Sequence, residues 1–361
     1  MDTSAKGIEF DEKGVCSFCT EFLARSHEIL NKSDQQKEQE LGLLIKKIKA
    51  AGVGKPYDCI VGVSGGVDSS WVLVKAIELG LRPLAVHMDN GWNSELAQNN
   101  ISNLISKLGV DLYTHVVNWG EYKLLMQAFF DADVIDVELL YDNAMLAVNY
   151  TLADRHNIKY ILGGTNQSTE GMKIPSCWNW FKYDKRNIYG IAKRFSSVRI
   201  KTLPTIGTWD YVRFVAVKKI EWLSILDYFT YNKFETLDEL EKNFGYKRYP
   251  YKHYESIFTR FYQGYILPNK FHVDKRIVHL ATLVVTNQLG REAALADLIG
   301  LPYPKEKDLA EDREYFLKKM DWSEDKLREY LARSEVPHDH YPSEIALWTY
   351  LAGIYRKLKR M

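Results

Sequence analysis

Cysteine is scarce, at four residues in 361, far below the density of a small secreted scaffold built on disulfides. Net charge is nearly absent as well. Lys and Arg number 48 against 47 Asp and Glu, leaving +1. No chain-wide field therefore draws the protein to nucleic acid or to an anionic membrane, although a local basic patch is still allowed. Long apolar runs are missing too. The stretch Ile277 to Val285 carries His279 and Thr282 and falls short of the ~20 residues that span a bilayer. The first ten residues, MDTSAKGIEF, lack the apolar core of an export signal. There are no internal repeats and no low-complexity tracts, so the expectation is a soluble cytoplasmic protein. Aromatic residues, by contrast, are plentiful, with 23 Tyr and 9 Trp. Their apolar bodies and polar edges suit pockets and interfaces.

At roughly 150 residues per domain, the length predicts two domains. Residues 1–33 form a short segment that holds Cys16-x-x-Cys19. Residues 34–50 read as a solvated amphipathic helix that Lys55-Pro56 follows. From Tyr57 the pattern alternates. YDCIVGVS, RPLAVHMD, VDLYTHVVN and KYILGGT read as strands, starting near 57, 83, 110 and 159. Helical runs separate them, including WVLVKAIELG, SELAQNNISNLISKLG and residues 138–156. Strands alternating with helices of this length mean βαβ units and a doubly wound, mostly parallel α/β sheet. That domain is expected over 34–210. Residues 171–209, rich in Trp, Lys and Arg, read as a lid of loop or short helices near the strand ends. Residues 211–361 read as a helical domain for substrate or partner, with VRFVAVKKIEWLSIL, DKRIVHLATLVVTNQLG, REAALADLIG and SEIALWTYLAGIYRKLKR all helical and no convincing strand.

Ser64-Gly65-Gly66-Val67-Asp68-Ser69-Ser70 lies between the first strand and the first helix. The C-terminal ends of parallel strands are where such sheets bind ligands. Two glycines let the backbone turn its N–H groups toward one point. The following helix adds its positive dipole end, and three serines add hydroxyl donors, which together make a phosphate cradle. Asp68 beside phosphates calls for a cation, and Mg²⁺ is the natural one. The spacing is neither that of a Walker A loop nor that of a GxGxxG turn. The motif resembles the PP-loop, SGGxDS, of the N-type ATP pyrophosphatases, whose fold is of the adenine nucleotide alpha-hydrolase type. The resemblance implies that the loop holds the pyrophosphate of ATP while a substrate oxygen attacks the α-phosphorus. His87-Met88-Asp89-Asn90-Gly91, after the second strand, would then lie where such enzymes hold adenosine. Gly164-Thr165-Asn166-Gln167-Ser168-Thr169-Glu170, after the fourth, is similar to the ATP- and Mg²⁺-binding loop of the ammonia-dependent NAD synthetases. Thr165 would donate to a phosphate, and Glu170 would join Asp68 on Mg²⁺.

A sharper resemblance covers nearly the whole chain. FDEKGVCSFC, the PP-loop, PSCWNWFKYDKRNIYGIAKRF and KFHVDKRIVHLATLVVTNQLGREAAL look, in order, like blocks of the N-acetyl sugar amidotransferases of lipopolysaccharide and flagellar-glycan biosynthesis. This implies adenylation of the acetamido group of a nucleotide sugar and replacement of its oxygen by ammonia, giving an acetamidino sugar with release of AMP and pyrophosphate. Family members usually begin with a Cys-x-x-Cys just before a stretch like MDTSAKGIEF. The expectation is therefore that this chain starts at an internal Met or was trimmed, and that Cys16 and Cys19 are half of a zinc site. Cys59 lies in a predicted core strand, and Cys177 is the remaining thiol.

Lys275 and Arg276, beside Asp274, are candidates for charge neutralisation from the helical domain, with a surface charge cluster as the plainer alternative. Lys173, Lys182, Lys185, Lys193 and Arg194 in the lid are candidates for the same role or for a nucleotide sugar's diphosphate. Trp178, Trp180, Phe181 and Tyr183 could stack on a sugar or base, or pack the lid. His253, His272 and His279 are the histidines to watch as acid or base, His279 as a substrate contact. No glutaminase nucleophile is recognisable. The resemblance implies a separate glutaminase subunit with a cyclase-like barrel companion. The rival reading is a PP-loop tRNA thiolation enzyme, against which the near-zero charge and the position of the Cys-x-x-Cys weigh.

Overall fold

The computed structural model describes residues 1–249, 254–303 and 305–359. Four expected strands are present: β1 (Cys59–Gly62), β2 (Pro83–Asp89), β3 (Leu112–Val116) and β4 (Tyr160–Gly163). Between them run α3 (Val67–Glu78), α4 (Glu95–Leu108), α5 (Trp119–Asp131) and α6 (Leu139–Arg155), preceded by α1 (Ser17–Leu30) and α2 (Asp34–Ala51). After β4 come the short α7 (Gln167–Glu170), then α8 (Lys185–Phe195) and α9 (Thr208–Val212).

A fifth strand, β5 (Glu221–Ser224), corrects the expectation that 211–361 holds no strand. It pairs in parallel with β4, with Tyr160 opposite Glu221 and Leu162 opposite Leu223. Its four residues occur inside a run whose apolar spacing mimics a helix. Only pairing with β4 reveals the segment as a strand.

The sheet is wholly parallel, in the order β3-β2-β1-β4-β5. Period-two alternation sends β1 and its neighbours' side chains to two different cores. Cys59, Val61, Ala85 and Leu162 pack under α2, α3 and α4. Ile60, Leu84, Val86 and Ile161 pack against α6. Burial on both faces explains why these strands read as continuous apolar runs.

Beyond β5 the chain is helical among the described residues. It comprises α10 (Lys233–Phe244), α11 (Ile257–Phe261) continuing as a π-helix over Tyr262–Phe271, α12 (Arg276–Val285), α13 (Arg291–Asp297), α14 (Glu306–Met320), α15 (Glu324–Ala332) and α16 (Ile345–Lys359). A third core, rich in aromatic rings, joins α5, α11 and α14 to the lid around Trp92, Phe130, Phe258 and Phe316. No described helix is long and apolar enough to cross a membrane.

Candidate functional site

The order 3-2-1-4-5 places β1 and β4 at the point where the chain reverses direction across the sheet, the usual ligand crevice of such folds. The loops after these two strands meet there. Gly65 turns the first loop with φ +85°, and a side chain at that position would strike the Ala97 carbonyl of α4. Gly66 then opens α3 in an extended conformation. As at any helix start, the amides of Val67, Asp68 and Ser69 have no carbonyl one turn back. Ser64 is folded into the turn. Its hydroxyl accepts from Gly66 N–H at 3.2 Å, and its own amide donates to Ser69 Oγ at 3.2 Å. Ser70 is buried on the inner face of α3. Ser64, Gly65, Gly66, Val67 and Ser69 thus build one cradle of donors.

The second loop closes on the first. A Cβ on Gly164 would lie 3.0 Å from Ser69 N. Asn166 caps α7 by accepting from Thr169 N–H at 2.8 Å. Asp68 Oδ1 is the meeting point. It accepts from Asn166 Nδ2 at 3.2 Å, from Thr169 Oγ1 at 3.2 Å and from the Tyr231 hydroxyl at 2.7 Å. Tyr246 and Tyr249 donate their hydroxyls to the Gly65 carbonyl, both at 3.1 Å. None of these three tyrosines is legible as a site residue in the sequence. The one signal is the crowding of tyrosines between positions 228 and 254.

A cavity of about 720 Å³ opens beside this junction, among Thr165, Asn166, Glu170, Lys173, Trp180 and Arg25. Thr165 is exposed there. Arg25 was not foreseen. It arrives on α1 and donates to the Gly171 carbonyl, while Ser26 Oγ donates to Gln167 Oε1 at 2.7 Å. Lys173 is exposed and lies 3.7 Å from Glu21. A second cavity, about 410 Å³, runs between β2, β3 and α4 and includes His87 and Asp89. Asp89 Oδ1 also accepts from Gly91 N–H at 2.8 Å.

The lid residues divide. Trp180 lines the larger cavity, held flat by stacking on His338 at 5.0 Å and by donating Nε1–H to Asp184 at 2.8 Å. Burial pushes His338 down to about 4, against the pull of Asp136. Trp178 is 1% exposed and packs in the aromatic core, so it offers no face to a ligand. Its size and burial fit the alternative role of packing the lid onto the domain. Lys182 bridges Asp136 at 2.6 Å and Asp142 at 2.8 Å. Burial raises the Asp142 carboxyl above its usual range, with Lys182 opposing. Lys193 is exposed in the last turn of α8.

Of the helical-domain candidates, Lys275 pairs with Glu138 at 2.8 Å, and both are mostly buried. Arg276 clasps Asp274 and donates to the carbonyls of Asp297, Leu298 and Gly300, tying down the end of α13. His279 is half-buried on α12, His272 is exposed, and His253 lies outside the described residues. The Cys16 and Cys19 thiols are 3.2 Å apart, and Cys16 caps α1. Burial first, and the hydrogen bond to Cys16 next, raise Cys19 to about 11. A structural zinc site uses four ligands, and no group of three or more candidate ligands gathers among the described residues. The thiol pair alone does not fit zinc. Cys59 is buried in β1 and Cys177 half-buried, both as free thiols.

The helical region is bonded onto these loops. Thr286 Oγ1 and Gln288 Nε2 donate to the Ser168 carbonyl at 2.8 and 3.1 Å, and Ile257 N–H donates to the Trp92 carbonyl at 2.8 Å. Residues 255–355 match the family model described as LPS biosynthesis protein WbpG-like, C-terminal domain. The resemblance read from the sequence blocks is thereby borne out, and the WbpG-like region is the part of the chain that closes over the second loop. No curated protein matches the chain.

Among solved structures, the chain is similar to an NMN synthetase from Francisella tularensis, with 15% identity over 61% of this chain and 90% of that one and a TM-score of 0.31. An NH3-dependent NAD synthetase from Campylobacter jejuni shares 15% identity over 76% of this chain and 100% of that one, with a TM-score of 0.31. A 4-thiouridine synthetase, solved with RNA and bound ATP, shares 17% identity over 47% of this chain and 41% of that one, with a TM-score of 0.25. Likeness at that level says nothing about this chain's chemistry. The five parallel strands, their order and the SGGVDS loop after β1 themselves make the fold a doubly wound sheet of the adenine nucleotide alpha-hydrolase type.

Proposed function

We propose that the chain is an ATP-dependent amidotransferase of the ligase type, acting on the acetamido group of a nucleotide sugar. The observation that carries the reading is the convergence of two strand-end loops on the Asp68 carboxylate, with the WbpG-like region bonded to the second loop. The amides that open α3 supply donors for a phosphate chain. Asp68 and Glu170 fit Mg²⁺, a hard cation that takes one or two carboxylates together with phosphate and water. When bound, it would neutralise charge on the leaving pyrophosphate. His87 and Asp89 border the adenosine side. Trp180, Lys173 and Arg25 border the sugar side, where a flat ring and two cations suit a base and a diphosphate.

An acetamido group is a poor electrophile because its C–N bond carries partial double-bond character. Its carbonyl oxygen attacks the α-phosphorus of ATP, an O–P bond forms, and pyrophosphate leaves. Ammonia then adds to the activated carbon, AMP departs with the former amide oxygen, and a proton is lost to give the amidine. The protein's part is positioning and charge stabilisation. Lys275 and Lys182 lie among carboxylates, and their roles here are to orient the lid and the segment before α6. Ammonia comes from solution or from a separate glutaminase subunit with its barrel companion.

The test uses the purified chain with ATP, Mg²⁺ and candidate nucleotide sugars, followed by mass spectrometry. Ammonium should support pyrophosphate release and a sugar product in which NH replaces O. Turnover should rise with pH through the alkaline range, because ammonium must lose a proton before its nitrogen attacks. Asp68→Ala should abolish turnover and lower the melting midpoint without unfolding the protein, since Asn166, Thr169 and Tyr231 lose their shared acceptor. Turnover by Asp68→Ala at the wild-type rate, or ATP turnover that answers to sulfide and not to ammonium, would overturn the reading.

A further inference from the structure

Three donors converge on one oxygen of Asp68. Among the described residues no hydrogen bond reaches the other oxygen, Oδ2. Two of the donors, Asn166 and Thr169, come from the loop after β4. The third, Tyr231, comes from the segment between β5 and α10, 163 residues away in sequence. It has the shortest bond of the three, and its side chain is 5% exposed. A buried hydroxyl that loses its acceptor carries the full desolvation cost, which favours keeping this bond. Together with the two bonds from the second loop, it therefore restrains the rotation of the carboxylate about Oδ1.

Tyr231 is itself held in place by Gln288, which lies just beyond α12 in the WbpG-like region. Gln288 Nε2 donates to the Tyr231 carbonyl at 3.3 Å and to the Ser168 carbonyl at 3.1 Å. Its Oε1 accepts from Lys233 N–H at 3.0 Å. One amide thus joins the backbone that carries Tyr231 to the loop that carries Asn166 and Thr169. Each half of the amide faces the partner it alone can satisfy, with NH₂ toward two carbonyls and C=O toward an amide.

We propose that Tyr231 is a positioning residue for Asp68, and that Gln288 makes this positioning depend on the WbpG-like region. The chemistry is that of an outer-shell partner orienting a cation ligand, an arrangement whose loss typically weakens metal affinity 10–100-fold. The inference rests on the reading of Asp68 as a carboxylate that faces Mg²⁺. It adds that the geometry at Mg²⁺ is held in part by residues far from the loop in sequence. A substrate that shifts the WbpG-like region would shift the carboxylate with it.

Tyr231→Phe removes one hydroxyl and keeps the buried ring. Gln288→Glu keeps the shape but turns an acceptor toward two carbonyls. For each, two quantities are measured on the full chain. One is the Mg²⁺ concentration that gives half-maximal pyrophosphate release. The other is Mn²⁺ binding, followed by electron paramagnetic resonance, in the presence of a non-hydrolysable ATP analogue. The Mg²⁺ requirement should rise about 10–100-fold in Tyr231→Phe, excess Mg²⁺ should restore turnover, and Mn²⁺ affinity should fall in parallel. The double variant should be no worse than the more impaired single variant, because both act through one carboxylate. Mg²⁺ and Mn²⁺ curves that coincide with wild type, a defect that excess Mg²⁺ does not relieve, or additive effects in the double variant would overturn the proposal. Asp68→Asn, run in parallel, separates the two failures. If it abolishes turnover while Tyr231→Phe behaves as wild type, only the positioning role falls. If it turns over normally, the reading of the site falls with it.

Discussion

Gly164 shows how little room the junction leaves. A Cβ there would lie 3.0 Å from Ser69 N and 3.2 Å from the Asp68 carbonyl carbon. Both are backbone atoms at the start of α3 and cannot swing aside as a side-chain tip would. Gly164→Ala should push the two loops apart. Overpacking of this kind costs about 1–3 kcal/mol, so a modest drop in the denaturation midpoint is expected together with a loss of ATP turnover of at least about tenfold. Wild-type turnover in the folded variant would show that the loops need not touch. At this scale much of the site was legible. The SGGVDS motif and the GGTNQSTE motif both announce close backbone approach, because few other reasons put paired glycines at a strand end. The clamps on the first loop were not legible. Tyr231, Tyr246 and Tyr249 are ordinary apolar-polar residues whose partners lie 163 to 184 residues away, and no local pattern records such a contact. Arg276 and Trp178 show the opposite case. Both carry chemistry that suits a ligand, and both spend it on their own chain.

The lid is held as an element through His338. Its Nε2 accepts from the Asp136 amide at 3.2 Å, and its Nδ1 pairs with Asn187 Oδ1 of α8 at 2.8 Å. The ring is therefore neutral, with the proton on Nδ1, and burial holds it at about 4 against an ordinary 6.5. The sign follows from proton uptake. Between these values the unfolded chain binds a proton that the folded one refuses, so stability is full above about pH 6.5 and falls as pH drops toward 4. A shift of this size corresponds to about 3 kcal/mol. Urea denaturation at pH 7 and pH 5 should show the loss, and His338→Gln should flatten it. Equal slopes for the two proteins would remove His338 as the source. Strands β1 to β4 and helices α2, α4 and α6 could be read from the sequence because apolar runs and cap residues mark them locally. Strand β5 could not, since its burial is only partial and its identity depends on β4.

Across the whole molecule, the WbpG-like region grips the parallel sheet at three places. Ile257 bonds to the Trp92 carbonyl after β2, Thr286 and Gln288 hold Ser168, and Lys319 reaches Gly91 from α14. The Lys319 ammonium lies over Trp92, Trp119 and Tyr315, with ring centres 4.7 to 5.2 Å away. Three aromatic faces around one cation suit a latch more than a freely sliding contact. Loop and cap are therefore coupled on both sides of the crevice, and a ligand that enters between them meets walls that move together.

Strand β5 bears on how the protein is made. The sheet is finished by residues 221–224, after the lid has been synthesised. A nascent chain that has emerged only to residue 210 presents β4 with one side unpaired, and Ile161 and Leu162 of that strand belong to the innermost residues of the fold. Such an edge invites pairing with another chain. Translation has to run past the lid before the parallel sheet can close, and any pause within residues 171–209 would prolong the exposure. A fragment of residues 34–210 should collect in the insoluble fraction, whereas one of residues 34–229 should be recovered to a greater extent as soluble protein. Equal recovery of the two in a pelleting assay would show that the missing strand is not what limits them.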